Sequence, residues 1–438
     1  MKRIRLIPLS LAVAGLSLGV AACGGDDETT SDGGAGGETT LDLTIGDIIP
    51  LTGDLADFGP PGQKAADLAV DQINAAIEEV GADHTVTIQH EDEQTKPDAA
   101  VSAARKLVDE GANCITGAWA SSDTIPVARS VTIREGVLQI TPASTSSELT
   151  TLEDDGLLNR TPPADNLQGP VLAAFVAEQL GGAEGTTVAV GGRNDSYGDG
   201  LSGAFVDAWE AQGGSVAGGG PLLYDPEQPS YNSEAQELVS ENPDGYVIVD
   251  FPETYLKVGP ALARTGTWSP GDTFVTDGLI SGDLVGDPAN KAFTEGIRGT
   301  APGTPTKGES SVAFDKLFTS SEPKDVERQT FDGQNFDAVI LCYLAAVAAG
   351  STEGADMAGA LEAVTAPPGD KFTWEQLPQA IEALQNGDDI DYVGAAGEID
   401  LDDNGDPQEG VYDTLQNKGG EFGSIGPQID AATQEQVR

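Results

Sequence analysis

Basic residues are scarce in this chain. Against 72 Asp and Glu stand only 22 Lys and Arg, a formal charge of −50. Nucleic acid and anionic membrane surfaces bind through Lys/Arg stripes, so this balance argues against both as partners. The acidic excess reads as a solvated surface and fits an extracellular or salty setting. Histidine is scarcer still, with His84 and His90 alone. Six residues apart and without a cysteine partner, they make no convincing metal site. No G-x-S-x-G elbow occurs, and two surface-looking histidines leave little from which to build a Ser-His-acid triad. The expectation is a non-enzyme that needs no cofactor and no metal. Beyond the N-terminus no segment is apolar enough to span a bilayer.

The N-terminus sets the compartment. Lys2, Arg3 and Arg5 precede an apolar run, Leu6–Val20, interrupted by Pro8 and followed by Val20-Ala21-Ala22-Cys23. The run is too short, and too quickly followed by Gly24-Gly25-Asp26-Asp27, to be a stable membrane span. It resembles a bacterial lipoprotein signal with its lipobox at Val20–Cys23; a plain secretory signal is the alternative. The resemblance implies that residues 1–22 are removed and that Cys23 becomes a lipidated N-terminus. The protein is then extracytoplasmic and anchored to the cell membrane, several acyl chains each contributing about 0.8 kcal/mol per buried CH₂. Residues 23–40, rich in Gly, Ser, Thr and acid, read as a flexible tether. The other cysteines, Cys114 and Cys342, stand in apolar surroundings. A disulfide is permitted outside the cytoplasm. Sequence alone does not bring them within bridging distance, and two buried free thiols are the simpler reading.

The remainder is organised around Ala112–Thr150. Cys114–Ala118 reads as a strand ending in the polar turn Trp119-Ala-Ser-Ser-Asp123, and a helix carries Ile125, Val127, Ala128, Val131 and Ile133. Gly136–Pro142 reads as a second strand, running into Ala143-Ser-Thr-Ser-Ser147. Two strand ends delivering hydroxyls to one edge of a parallel sheet make a receptor for a small anion. The same Ser and Thr also suit ordinary helix caps, and this segment alone does not choose.

Strand and helix alternate on both sides of it. Leu41–Ile49 is a strand, the helix Gly62–Val80 buries Leu68, Ala69, Ile73 and Ile77, Thr85–His90 alternates as a strand, and Pro97–Glu110 is helical. After Arg160-Thr-Pro-Pro163 the rhythm restarts: helix Gly169–Leu180, strand Thr186–Gly191, loop Ser196–Gly200, helix Leu201–Gln212. Strand Tyr246–Asp250, helix Glu253–Arg264 and strand Thr273–Asp277 complete a second α/β unit. Arg298–Glu309, rich in Gly, Pro and Thr, reads as a return crossing. Three helices follow, Gln334–Gly350, Met357–Val364 and Trp374–Gln385, and then Glu398–Asp406 as a strand with an Asn-Gly hairpin turn. Two apparent motifs are set aside. Gly198–Gly203 fits G-x-G-x-x-G but lies some eight residues past its strand, and the calcium-like run from Asp400 has Val411 where the twelfth ligand should be Glu.

Pro50-Leu-Thr-Gly53, Phe58-Gly59, Ala69–Ala75, Glu91-Asp-Glu93, Pro142-Ala-Ser-Thr145, Arg160-Thr161, Tyr197-Gly198 and Phe336-Asp-Ala338 occur in that order. Together, over about residues 41–426, they resemble the branched-chain amino acid (Leu/Ile/Val) type of ABC-transporter substrate-binding protein. That resemblance implies an α/β fold of two similar Rossmann-like parallel-sheet lobes on a three-crossing hinge, the type I periplasmic-binding-protein fold. It places residues 41–161 plus 302–398 in one lobe and 162–301 plus 399–438 in the other. The crossings fall near Thr161–Pro163, Arg298–Pro302 and Glu398–Leu401. The implied function is capture of a small amino-acid-like ligand by a monomer that hands it to an ABC permease in the membrane.

By motif position, Ser121 and Thr145 match the family's hydroxyl donors to the ligand carboxylate, and Ala143 the residue whose backbone lines the same spot. Asp277 matches the acid that holds the ammonium, and Tyr197 the aromatic that reaches over from the second lobe. Phe58 and Phe336 stand where the family often has Tyr, leaving a more apolar cleft; Phe251 is expected to face it and Trp119 to narrow it, with plain core packing the alternative for each of these aromatics. With no Arg or Lys evident for a second carboxylate, aliphatic or aromatic ligands are expected before acidic ones. Two competitors stand beside this reading. One is a sensor of the same fold that feeds a signalling partner. The other is a secreted hydrolase, which the missing nucleophile–base pair disfavours.

Overall fold

The computed structural model describes residues 40–437. The expected signal, Cys23 and the tether as far as residue 39 lie outside the described residues. Leu41–Ile49 forms β1, which alternates between buried and exposed residues and is then continuously buried from Ile45 onward. That pattern belongs to a strand covered on both faces. The helix Gly59–Val80 lays Leu68, Ala69, Ile73 and Ile77 against the sheet and stops at left-handed Gly81. Beside β1 lie β2 (His84–Asp92), β3 (Cys114–Thr116), β4 (Leu138–Thr141) and β5 (Leu158–Arg160). They pair in the order β2-β1-β3-β4-β5, every pair parallel. Parallel neighbours require crossover connections, here the helix Pro97–Asp109 and the helical residues 121–135.

The second sheet begins with β6 (Thr187–Arg193), β7 (Ser215–Val216), β8 (Leu222–Tyr224), β9 (Gly245–Val249), β10 (Thr273–Val275) and β11 (Arg298–Gly303). Asp165–Leu180, Ser196–Ala211 and Pro252–Thr265 are its principal helices. A small third sheet of β12 (Asp370–Thr373), β13 (Ile390–Gly394) and β14 (Gly397–Glu398) shares the first sheet's core. The chain then returns to the second sheet. There β15 (Val411–Asn417) pairs antiparallel with β11 and with β16 (Phe422–Ser424) and β17 (Ile429–Asp430). The result is two α/β units, one of them parallel and the other parallel with an antiparallel edge.

Three expectations change. Arg298–Gly303 is strand β11, between β10 and β15, and not a return crossing. Its Gly-rich composition serves close packing, since a Cβ on Gly299 would lie 2.5 Å from the Val275 carbonyl oxygen. Ser196–Gly200 is the first turn of a helix, not a loop. Asp195 caps that helix through the Gly198 N–H, and a Cβ on Gly198 would lie 2.0 Å from the Arg193 carbonyl oxygen. Cys114 and Cys342 form a disulfide, with Cα atoms 6.1 Å apart, in place of two free thiols. The helix Asp332–Ala349 packs across β3 and carries Cys342 to it.

That helix is apolar because it is surrounded. Every side chain from Asp332 to Val347 is buried, and among the described residues no single helix is long and apolar enough to cross a membrane. The histidines are less superficial than expected. His90 lies between Asp47 and Asp67, at 2.8 and 3.0 Å, and His84 Nδ1 is 2.9 Å from the Tyr343 hydroxyl. The expected hairpin turn is present, with Gly405 N–H on the Asp402 carbonyl and Leu401 bridged antiparallel to Pro407. Beyond it the Asp406 carboxylate takes Arg160 Nε at 2.6 Å and the Thr150 hydroxyl at 2.6 Å.

Candidate functional site

The polar turns after β3 and β4 share their hydroxyls unequally. Thr124 and Thr141 donate to the Ala118 carbonyl at 2.9 and 2.6 Å, and Ser144 to that of Trp119 at 3.0 Å. Ser146 caps the short helix Ser147–Thr150 by accepting the Glu148 N–H. These groups fasten one turn to the other. The Ser121 hydroxyl differs: it accepts the Ser146 N–H at 3.2 Å and keeps its own proton for a further acceptor. Fastening hydroxyls and one hydroxyl whose proton is not donated within the turns thus coexist in one segment, divided residue by residue.

Ser121 opens onto a pocket between the two units. From the first-sheet side come Leu55, Phe58, Trp119, Ala120 and Ala143. From the second-sheet side come Tyr197, Phe251, Asp277 and Gly278, and Phe331 closes one end. Local chemistry fixes each wall. Glu93, fully buried, accepts the Trp119 N–H at 2.9 Å and so holds the loop carrying Trp119. Burial, and then Asp123 beside it, raises the Glu93 carboxyl well above the usual range. Tyr197 sits in the first turn of its helix and stacks on Phe251 with centroids 5.1 Å apart. Behind Phe251 the Arg193 guanidinium lies 3.9 Å from the ring centroid, neutralised by Asp195 at 2.7 Å and Asp54 at 2.8 Å.

Asp277 begins a turn of 3₁₀ helix after β10. Its Oδ1 accepts the Tyr197 hydroxyl at 3.1 Å and the Gln168 amide. Burial pushes its carboxyl up to about 6, with those two donors pulling the other way. The pocket therefore joins the hydroxyls of Ser121 and Tyr197, one carboxyl group and an aromatic wall, with no Lys or Arg among its lining residues. Such a set suits a small zwitterion with an apolar body. The walls have closed on one another: the void left is about 20 Å³, room for about one water. An amino-acid-sized occupant must enter with the units apart. Contacts hold them together at the rim, where Asp54 pairs with Arg193 and accepts the Thr254 hydroxyl at 3.1 Å, and the Ser281 hydroxyl donates to Asp57. Among the described residues no group of three or more His, Cys, Asp or Glu could hold a metal.

Of the residues singled out in the sequence, Ser121, Ala143, Tyr197, Asp277, Phe58, Trp119 and Phe251 line this pocket. Two do not. Phe336 is core, its ring centroid 4.8 Å from that of Phe314 and 5.5 Å from that of Trp374, because the helix from Asp332 turns this position inward. Phe331, five residues earlier, supplies the aromatic wall instead and meets Trp119 edge to face at 6.4 Å. Thr145 is buried behind the pocket. Its carbonyl accepts the Asp165 N–H at 2.8 Å, while its hydroxyl lies near the Asp165 side chain without hydrogen-bonding geometry. Sequence reading also missed Leu55, Ala120 and Gly278. Each adjoins a residue or loop that had been singled out, and that adjacency was the one available signal.

The family described as periplasmic binding protein matches residues 42–383. The Leu/Ile/Val-binding protein BraC3 of Rhizobium johnstonii is 36% identical over 174 residues, 39% of this chain and 45% of that protein. The aligned part thus spans less than half the length of that curated relative. Among solved structures, a leucine-binding protein, LivK, from Thermotoga maritima superposes with a TM-score of 0.70 at 21% identity, covering 87% of this chain and 97% of its own. The branched-chain amino acid transporter protein LivJ of Streptococcus pneumoniae, solved with isoleucine, gives 0.69 at 19% identity, covering 87% and 98%. At these identities the superpositions establish the fold, two α/β units of the type I arrangement.

Proposed function

The chain belongs to the periplasmic binding protein family, and from that premise we propose that it is the solute receptor of an ABC importer, capturing an α-amino acid with an apolar side chain. The observation that carries this is the pairing of Ser121 with Asp277 in one pocket whose other side chains are largely aromatic. Ser121 and the backbone beside Ala143 take the carboxylate, and Asp277 takes the ammonium. Phe58, Trp119, Phe251 and Phe331 surround the side chain. Charge-assisted hydrogen bonds of about 1.5–3 kcal/mol each, with apolar contact, suffice for about −8 kcal/mol, the micromolar range.

In this reading the expected boundary at residue 302 moves to the end of β11, because Pro302 and Gly303 pair with Tyr412 and Val411; residues 41–161 with 304–398, and 162–303 with 399–438, move as two lobes, and a membrane permease receives the ligand from the closed monomer. The matched relatives are named as binding proteins, which supports capture without turnover. Family membership supports an extracytoplasmic location. Anchoring through Cys23 rests on the N-terminal sequence; metabolic palmitate labelling that persists in a Cys23→Ala chain would refute it.

A thermal-shift screen of the twenty amino acids, amides and small carboxylates tests the ligand class. Leucine, isoleucine, valine or phenylalanine should raise Tm and glutamate should not; the reverse result overturns the apolar reading. Asp277→Ala should abolish amino-acid binding in calorimetry while its circular dichroism stays that of the parent. Unchanged affinity would place the ammonium elsewhere.

A further inference from the structure

Behind the wall that carries Ser121 and Trp119 stand two acids outside the pocket, Glu93 and Asp123. Glu93 follows β2, and Asp123 lies in the first turn of the helical residues 121–135. Both are fully buried. Glu93 Oε2 accepts the Trp119 N–H at 2.9 Å, and the Ala120 N–H pulls on the same carboxyl. Asp123 Oδ1 takes the Ser122 hydroxyl at 3.4 Å. Their other oxygens, Glu93 Oε1 and Asp123 Oδ2, meet no donor among the described residues. Buried carboxyl oxygens are rarely left so. The neighbouring charges do not fill the need. Asp92, beside Glu93, is held by the Thr52 N–H and hydroxyl at 3.1 and 2.6 Å. Around Asp123 stand Asp54, Asp195 and one cation, Arg193, which is committed to those two acids at 2.8 and 2.7 Å.

We propose that Glu93 and Asp123 share a proton, and that this proton positions the Trp119–Asp123 turn for ligand capture. The shared O–H is the donor that Glu93 Oε1 and Asp123 Oδ2 lack. The turn is strung between the two groups: Glu93 holds its first N–H groups, Asp123 ends it, and Ser121 lies midway. Trp119 has little slack, since a Cβ on Gly62 would lie 2.4 Å from its ring. Without the proton, two anions confront each other in a low dielectric. Their repulsion acts along the turn and displaces Ser121 and Trp119 together. Neither acid lines the pocket, so both are positioning residues. The proposal rests on the amino-acid reading above.

Burial raises both carboxyls, Asp123 up to about 8 and Glu93 well above the usual range, where the charge of Asp123 adds to it. The two titrate as a unit. Arg193 and Asp195 belong to the second unit, so parting the units uncovers Asp123 and lets it ionise. Closure takes the proton up again. Affinity should therefore hold near pH 7 and fall above 8, on the other side of neutrality from the titration of Asp277.

The test is calorimetry with L-leucine at pH 7, 8 and 9 on the parent, Glu93→Gln and Asp123→Asn, with melting curves of the ligand-free proteins. Either amide replaces the shared proton with an N–H that does not titrate. The ligand ammonium and the remaining acids titrate in all three, so the difference between proteins belongs to the pair. From pH 7 to 9 the parent should lose about tenfold more affinity than either amide variant. Without ligand its Tm should fall further than theirs over the same range, because an amide has no charge to bury. At pH 7, Glu93→Ala should bind about tenfold more weakly than the parent, and Glu93→Gln should recover the loss. Each amide variant is compared with the parent separately, so one that does not fold leaves the other to decide. Equal alkaline losses of affinity or of Tm in parent and amide variant overturn the shared proton. Glu93→Gln as weak as Glu93→Ala overturns it too. A parent that gives no heat with any α-amino acid at any of these pH values overturns the amino-acid reading and the positioning role with it, while the melting curves still decide the shared proton.

Discussion

At the scale of single residues, the ammonium role proposed for Asp277 couples burial to ligand charge. Its carboxyl stands at about 6 because desolvation penalises the anion, and it must be ionised to hold an ammonium. Affinity for an amino acid should therefore fall as pH drops through 6, about tenfold weaker at pH 5 than on the neutral plateau; calorimetry across pH 5–8 checks it. The place of Asp277 in the pocket was legible in the sequence because motif order put it at a strand end that opens on the cleft. Phe331 was not. It adopts φ 73° just before the helix begins, a backbone choice that no local pattern announces for an aromatic residue. Thr145 was legible as a hydroxyl but not as a buried one, since whether a turn residue faces the cleft or the layer behind it depends on how the units meet.

Elements were read more securely than their edges. Most helices and strands stand where apolar periodicity puts them, because that period is set by the face each element buries. Composition misled at β11, where Gly and Pro suggested a crossing but the strand needs small residues to lie between β10 and β15. The disulfide was illegible for a different reason: 228 residues separate Cys114 from Cys342, and only packing of the long helix on β3 joins them. Closing so long a loop restricts the unfolded chain strongly, so replacing both cysteines with alanine should cost about 2–5 kcal/mol of stability. Denaturant melts of the double variant measure this, and an unchanged midpoint would assign the bridge no structural role.

For the molecule as a whole, acidity and burial combine. Asp250 and Asp337 stand at about 7 and Asp123 and Asp165 at about 8, each raised from 3.8 chiefly by burial. A carboxyl raised on folding binds more protons in the folded than in the unfolded chain. The cost of ionising it is fully present above the folded value and vanishes below 3.8. Together with 72 acids repelling one another, this predicts a Tm higher at pH 5 than at pH 8 for the ligand-free protein. Melting curves at the two pH values check the sign, and a lower Tm at pH 5 would refute it. The two-unit architecture was legible because the strand–helix rhythm stops and restarts; the antiparallel edge of the second sheet, built from the last strands, was not.

One buried ion pair reaches further than its own neighbourhood. Arg160 ends β5 just before the chain leaves the first sheet, and Asp406 lies on the segment that carries it to β15. Their union laces two separate passages between the units into a single cord, so a bend in one is imposed on the other. On the proposed reading, loosening that knot would retune how often the jaws stand apart, and thereby the apparent grip on cargo, with every atom that touches the cargo left as it was.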